Sequence, residues 1–389
     1  MSSSRKIRLV ELDPPFVPKK EKQDGVLMYD IDNAYPSRME MLIKSSITAK
    51  SSAGMLQRFL TGQGFVNEKL NNLVIGKDRY GRNLTLYYLL SQVAKSVSYY
   101  SGFYIRVGYS GEIEKDGFKM VVDRLRLEKF KHCRFAAMDD NDTAGKIIIY
   151  NNWDRLAGRV NKKDWKVIDI YNDNKDAIKA QIQGSDGINK WLGQVFFWFA
   201  DDEYIYPESP VDPVNYDADT ESQISIFKNG EVRRGFFLKN IIHHSQFDNE
   251  SDAEEFTLAL KDMTGAGHNV SNIVLEGNFD NDGKLIDGQN VKVEKIEQNI
   301  NDKLFDTYEG STTNNIRKAF NAIPQILVDY EDSALGTTSG EALTQAAMFY
   351  NKQTQDIRKN ISQCFMEIMK NWHEDWVRSE NFEIKELAL

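Results

Sequence analysis

Cysteine is scarce in this sequence. The two among 389 residues, Cys133 and Cys364, lie far apart along the chain, which excludes a disulfide scaffold and suits a reducing compartment. Proline is sparse too, at eight, and 41% hydrophobic with 11% aromatic residues excludes wholesale disorder. Long apolar runs are missing. The densest, Val195–Ala200, is six residues, far short of a membrane span. The opening MSSSRKIRLVELDPP has no apolar core of signal-peptide length, so neither secretion nor a membrane partner is expected. Positive charge is in deficit: 49 Lys and Arg against 58 Asp and Glu leave a net charge of −9. That excludes a protein gripping nucleic-acid phosphates over its whole surface.

Catalytic signatures are lacking as well. There is no GxxxxGK(S/T) phosphate loop, no GxGxxG after a strand (Gly265-Ala-Gly267 is too short) and no GxSxG elbow. The histidines, His132, His243, His244, His268 and His373, show no HExxH spacing, and adjacent His132-Cys133 is a poor pair of ligands for one zinc. Asn278, Asp280, Asp282 and Gly283 match positions of a calcium loop, but Gln289 stands where a bidentate Glu is needed. A hairpin turn is the plainer reading; whether that turn holds a cation is open. Asp139–Asp142 fails sooner, with Ala144 at the glycine position, and Asp201-Asp202-Glu203 reads as the cap of the strand ending at Ala200. No enzyme, catalytic residue, metal or cofactor is expected.

What is present is periodicity. Residues 1–19 show none and read as an arm. Apolar residues at three-to-four spacing predict a helix over Pro36–Leu60, capped by Asn33 or Ser37 and stopped by Gly62 and Gly64, and another over Leu84–Tyr100. Alternation then predicts a hairpin turning at Ser110-Gly111, with further strands at Phe135–Met138, Lys146–Tyr150, Lys166–Tyr171 and Gln194–Phe199, the last buried on both faces. Helices followed by an antiparallel sheet make an α+β domain. Pro207, Pro210 and Pro213 mark a junction. Beyond it come helices at Asp217–Lys228 (ending at Asn229-Gly230) and Ala253–Met263, and strands at Asn272–Glu276 and Val291–Ile296. Two helices follow, Lys303–Asn321 and Ser339–Asp375, flanking a polar loop. The last has Leu343, Ala347, Tyr350, Ile357, Ile361, Phe365, Ile368 and Trp372 on one stripe and Thr338 with Glu341 at capping-box spacing. At about 1.5 Å per residue it would reach about 55 Å, either an extended interface or a long core helix.

The order of these stretches resembles the portal proteins of tailed, siphovirus-like bacteriophages. The residues carrying the resemblance begin with Asp32–Pro36, Ile43–Ser46 and Thr61–Phe65 for an opening helix pair, and Ser101–Ile105 with Leu125–Leu127 for a wing hairpin. Tyr206–Pro210 and Lys228–Gly230 flank a first stem helix, and Thr264–Gly267 with Ile273–Glu276 resemble a clip. Ile316–Pro324, a polar loop, then Ser339–Leu343 and a long helix resemble the second stem helix, tunnel loop and wing helix. The implied protomer has an α/β wing (20–212), first stem helix (213–230), small α/β clip (231–300), second stem helix (301–325), tunnel loop (326–338), long wing helix (339–375) and a C-terminal strand or tail (376–389) with little or no crown.

The resemblance implies a structural protein of the virion, assembled in the bacterial cytoplasm. It would form a ring of about twelve copies at one capsid vertex. Its implied partners are the terminase large subunit, major capsid and scaffolding proteins, head–tail adaptor proteins, and double-stranded DNA passing without sequence specificity. Asp332, Ser333, Leu335, Gly336, Thr337 and Thr338 would be tunnel-loop residues touching DNA. Lys303, Arg317 and Lys318 would line the channel or simply form a solvated helix face. His243, His244, Glu254, Glu255 and Lys261 would offer a docking surface on the clip. Another head–tail component such as an adaptor, or a soluble enzyme with an unrecognised site, are the alternatives.

Overall fold

The computed structural model describes residues 22–23, 25–30, 32–78, 80–114, 117–138, 144–153, 162–201, 203–234, 240–243, 292–295, 302–328 and 339–388. The fold is mixed α and β, in two compact units: Met1–Ala218 with Asn314–Leu389, and Asp219–Thr313.

The first unit opens with a two-stranded ribbon, β1 (Lys22–Gln23) and β2 (Val26–Leu27). The predicted single helix over Pro36–Leu60 is two, α1 (Tyr35–Ser45) and α2 (Ile47–Thr61). Ser46 divides them: its backbone is extended and its hydroxyl accepts from the Ala49 N–H at 2.9 Å, a cap that competes with helix continuation. Neither Asn33 nor Ser37 caps α1. Ala34 stands at that position without a side-chain bond, because the buried Asn33 side chain is engaged elsewhere. Gly62 does end α2, at φ 55°, and a Cβ there would lie 2.0 Å from the Lys385 carbonyl oxygen, so only glycine fits.

After a short α3 (Glu68–Asn71) and the ribbon β3 (Val74–Lys77) with β4 (Asn83–Thr85), α4 (Leu86–Tyr100) starts under a Thr85 cap. It buries Leu86, Leu89, Leu90, Val93, Ala94 and Val97, the predicted face. The hairpin is longer than its pattern suggested. In β5 (Gly102–Glu114) and β6 (Gly117–Glu128), Ser110 and Gly111 lie within the ladder opposite Val121 and Met120, and pairing runs on to Glu114 and Gly117. What misled the pattern is a register shift at Gly108/Tyr109, which breaks the alternation without turning the chain.

Next come β7 (Cys133–Phe135), β8 (Lys146–Ile149), β9 (Lys166–Ile170), an unanticipated α5 (Lys175–Gly184), and β10 (Gln194–Phe199). The sheet order is β6-β5-β10-β9-β8-β7. It is mixed, because β9 and β10 are parallel, and a parallel pair needs a crossover, which α5 supplies. In β10 Gln194, Val195 and Phe196 are buried while Phe197–Phe199 are half-buried, so burial on both faces holds for half of the strand.

From Asn215 runs α6 (Asn215–Arg234), passing through Asn229-Gly230 where a stop was expected. One interior glycine costs a helix only about 1 kcal/mol. The second unit contains an antiparallel pair, β11 (Asn240–His243) with β12 (Lys292–Lys295), in which His243 faces Lys292. The predicted elements at Ala253–Met263 and Asn272–Glu276, and the turn at Asn278–Gly283, lie outside the described residues.

The chain re-enters the first unit in α7 (Asp302–Ala319), ended by Asn321 and Ala322 at φ 61° and 52°. Then follow α8 (Gln325–Val328), α9 (Ser339–Gln353), α10 (Gln355–Met369) and α11 (Asp375–Arg378). The expected continuous helix over Ser339–Asp375 is therefore broken at Thr354 and finished by Met369. The Thr354 hydroxyl donates back to the Tyr350 carbonyl at 2.9 Å, which bends helices. The buried Arg358 guanidinium fills the break, donating to Asn351 O at 2.8 Å, Thr354 Oγ1 at 2.7 Å, Phe59 O of α2 at 3.2 Å and Glu386 Oε1 at 3.1 Å.

The C-terminal segment then docks along residues 62–66: Gln63 N–H donates to Lys385 O at 3.0 Å and Lys385 N–H to Gly64 O at 2.8 Å. One core results from both chain ends, joining Phe59, Leu90, Ile105 and Leu125 to Ile316, Phe320, Tyr350, Phe365 and Trp372. Replacing Arg358 by Ala is expected to remove about 2–3 kcal/mol, seen as a fall of several degrees in Tm, with faster proteolysis of residues 380–388. An unchanged Tm contradicts this account of the break.

Candidate functional site

The sequence singled out the place where the chain leaves the first unit and returns, and its geometry starts from one buried cation. Arg134, on β7, is 0% exposed. Its guanidinium donates to the Asn33 side chain, to Asn33 O at 2.7 Å, to Cys133 O at 2.7 Å and to Lys131 O at 3.2 Å. It sits 5.4 Å from the Tyr29 ring centroid and 5.5 Å from that of Trp153. No carboxylate pairs with it among the described residues, so carbonyls and π-faces carry its whole solvation.

Around it three tyrosines stack: Tyr35 on Tyr29 at 4.8 Å and Tyr29 on Tyr206 at 4.3 Å. Their hydroxyls fasten backbone: those of Tyr29 and Tyr35 hold residues 207–209, and that of Tyr206 holds Leu27 and Phe135. Tyr29 donates to Pro207 O. Tyr206 donates to Leu27 O at 2.8 Å and accepts from Phe135 N–H at 2.8 Å. Tyr35 accepts from Ser209 N–H at 2.9 Å, and the Ser209 hydroxyl donates to Tyr99 O at 2.6 Å. Burial raises all three phenols well above their ordinary range, so they act as neutral hydrogen-bonding groups. The Asp212 carboxyl is raised too, first by burial, while its bond to Tyr35 and the field of Arg38 oppose that. Residues 206–212 are thereby pinned to β7, to residues 27–35 and to the end of α4, immediately before α6 begins.

At the base of α6, the Asn315 amide nitrogen of α7 lies 3.4 and 3.5 Å from the two Asp217 carboxylate oxygens. The returning helix is anchored by Ile316 and Phe320, both 0% exposed, and by Tyr350, whose hydroxyl donates to Phe320 O at 2.8 Å. Of the cations expected on α7, Arg317 is buried and 3.5 Å from Gln325 Oε1, while Lys318 is exposed. The two neighbours thus face different surroundings, and only Lys318 is open to solvent in the single chain. Lys303 belongs to α7, but its side chain lies outside the described residues. So do Asp332, Ser333, Leu335, Gly336, Thr337, Thr338, His244, Glu254, Glu255 and Lys261. His243 is on β11, with its side chain likewise outside the description.

One cleft of about 460 Å³ lies between the sheet and α10, lined in part by Tyr171, Phe196, Trp198, Asn360, Cys364 and Glu367. Burial pushes the Cys364 thiol up to about 12, which makes it unreactive, and the Tyr171 hydroxyl is committed to Glu367 O at 3.1 Å. The cleft therefore presents a place for apolar contact and no activated nucleophile.

Arg134 itself was missed in the sequence. A single arginine between Cys133 and Phe135 carries no periodic signal. Removing the Tyr206 hydroxyl (Tyr206→Phe) is expected to cost about 1–3 kcal/mol by leaving Leu27 O and Phe135 N–H unpaired. It should also speed hydrogen exchange at the Phe135 amide; unchanged exchange there contradicts the arrangement.

No family model matches the sequence, and no curated protein matches it. Among solved structures the chain is similar to one in the virion of the native gene transfer agent (GTA) particle, with 12% identity and a TM-score of 0.53, covering 91% of this chain and 83% of that one. It also matches a chain in the neck of the empty GTA particle (11% identity, 86% and 81% covered, TM-score 0.48). A third match is an HK97 family phage portal protein from Corynebacterium diphtheriae (9% identity, 86% and 91% covered, TM-score 0.38). The first of these establishes the fold: over nine-tenths of its length, this α+β chain is built like a component of the GTA virion.

Proposed function

We propose that this protein is a portal subunit, assembling as a ring of about twelve copies at one capsid vertex, through which double-stranded DNA is packaged and ejected. The observation that carries the reading is the fold shared with a GTA virion chain across 91% of this sequence. The arrangement of the chain supports it: both ends build one unit, and a single insertion, Asp219–Thr313, leaves through α6 and returns through α7. In the portal reading those helices are the stem and the insertion is the clip. The loop with Asp332, Ser333, Leu335, Gly336, Thr337 and Thr338 reaches into the bore, beside Lys303, Arg317 and Lys318. Arg317 serves there as an anchor, since it is buried, and Lys318 is the exposed cation.

A net charge of −9 per chain fits a conduit. DNA that must slide is better served by repulsion and sparse contact than by counterion-releasing grip. In this reading the insertion, with His243, His244, Glu254, Glu255 and Lys261, docks the terminase large subunit during packaging and head–tail adaptor proteins afterwards. Major capsid and scaffolding proteins surround the ring, which is built in the host cytoplasm and ends in the virion. The test is the mass of the purified protein by light scattering together with negative-stain microscopy. Annular particles of about twelve copies are expected, and a ring of neighbouring order counts equally; a monomer or dimer at every salt concentration overturns the proposal.

A further inference from the structure

Two clusters of like charge, opposite in sign, stand on the first unit. The positive one is on the β5–β6 hairpin. Arg106 and Arg126 are directly opposite each other across the ladder, and Arg124 follows opposite Gly108. Facing like charges destabilise a strand pair. Arg126 is exposed and, among the described residues, has no ion pair, though its field reaches the buried Glu128; Arg124, 67% exposed, has among them Asp123 at 3.2 Å. Arg106 leans on the buried Glu128 at 3.8 Å. Burial lowers the Arg106 guanidinium, Glu128 opposes this, and Arg126 and Arg124 push it further down, so the three arginines share one field.

The negative cluster follows β10. Asp201 and Glu203 are exposed and Glu208 half-exposed, and among the described residues none has an ion pair. Their fields overlap: Tyr204 is raised chiefly by Glu203, with Glu208 and Asp201 adding, and Glu208 is raised by burial and then by Asp212, Asp201 and Glu203.

The placement of the clusters matters. Arg106 pairs with Val195 near the start of β10, whereas Asp201 lies beyond its last residue, Phe199. At about 3.3 Å per residue along β10 the patches are about 20 Å apart. Each patch concentrates charge of one sign at the surface, which an oppositely charged surface complements, and the chain carries that surface itself. We propose that the Arg124–Arg126 face of one copy receives the Asp201–Glu203–Glu208 ridge of the next, joining copies head to tail. This rests on the ring reading above and names the surfaces that build it. Two different patches, complementary to each other, are what a heterologous contact uses.

The test uses two full-length variants, R124E/R126E and E203K/E208K, studied alone and mixed, by light scattering and sedimentation. Each alone is expected to need at least about tenfold more protein than the wild type to assemble. The equimolar mixture should assemble as the wild type does, because every contact then joins a reversed patch to a reversed patch or a native to a native. R124Q/R126Q, with Tm as the folding control, should show the same loss in weaker form, and salt should weaken wild-type assembly. A wild type that assembles while both reversals assemble equally well overturns the pairing and leaves the ring reading standing. Loss in both variants without rescue in the mixture, with R124Q/R126Q folded and assembling normally, means that the patches meet other partners such as nucleic acid, and overturns the pairing too. A wild type that never assembles overturns the ring reading and this pairing with it.

Discussion

A fully buried guanidinium, with no carboxylate partner among the described residues, organises the segment that leads into α6. Burying an unpaired charge costs several kcal/mol unless every donor is satisfied, and Arg134 meets that demand with carbonyls of Asn33, Lys131 and Cys133, the Asn33 amide and two aromatic faces. The requirement fixes more than one residue. Asn33 is held at φ 60° with its side chain turned inward, Tyr29 and Trp153 must present their rings, and Tyr206 must stack on Tyr29. Residues 206–212, just before α6 begins, are held by these contacts.

The second closure works from the other end of the chain. Arg358 fills the gap between α9 and α10 while reaching Phe59 O on α2 and Glu386 in the tail. Gly62 lets the tail lie against residues 62–66 without a side chain between them. A long insertion between residues 218 and 314 is thereby tolerated, since the core around it is completed by elements from both termini.

How much of this was legible in the sequence varied with the physics behind each element. Three-to-four periodicity marked α4 and α7 closely, and most of the inward stripe of α9 and α10, because burial on one face leaves that pattern; Leu343, expected on that stripe, is exposed, and Ile357 is half-buried. The breaks at Ser46 and Thr354 were invisible to it. Both residues are small, polar and tolerated inside helices; at Ser46 a local cap on the Ala49 N–H ends the helix, and at Thr354 the Arg358 guanidinium fills the break. The turn assigned to Ser110-Gly111 followed local propensity where the ladder carries on through it, and the parallel pairing of β9 and β10 escaped because α5 has a weak apolar stripe with only Ile178 buried. At the candidate site, the junction at Pro207–Pro213 was visible as composition, but Arg134 was not, since a lone buried cation has no sequence period. Arg317 and Lys318 were read together as neighbours, and burial separates them.

The proposed ring, which would conduct DNA without holding it, draws on the fold shared with a GTA virion chain and on a net charge of −9. The claim stands or falls on an axial opening. A low-resolution electron-microscopy map of the assembled particle tests it most directly. The account predicts a closed ring with a continuous bore wide enough for duplex DNA and the insertion projecting at one end. A closed assembly without an axial opening, or with one too narrow for a duplex, contradicts it.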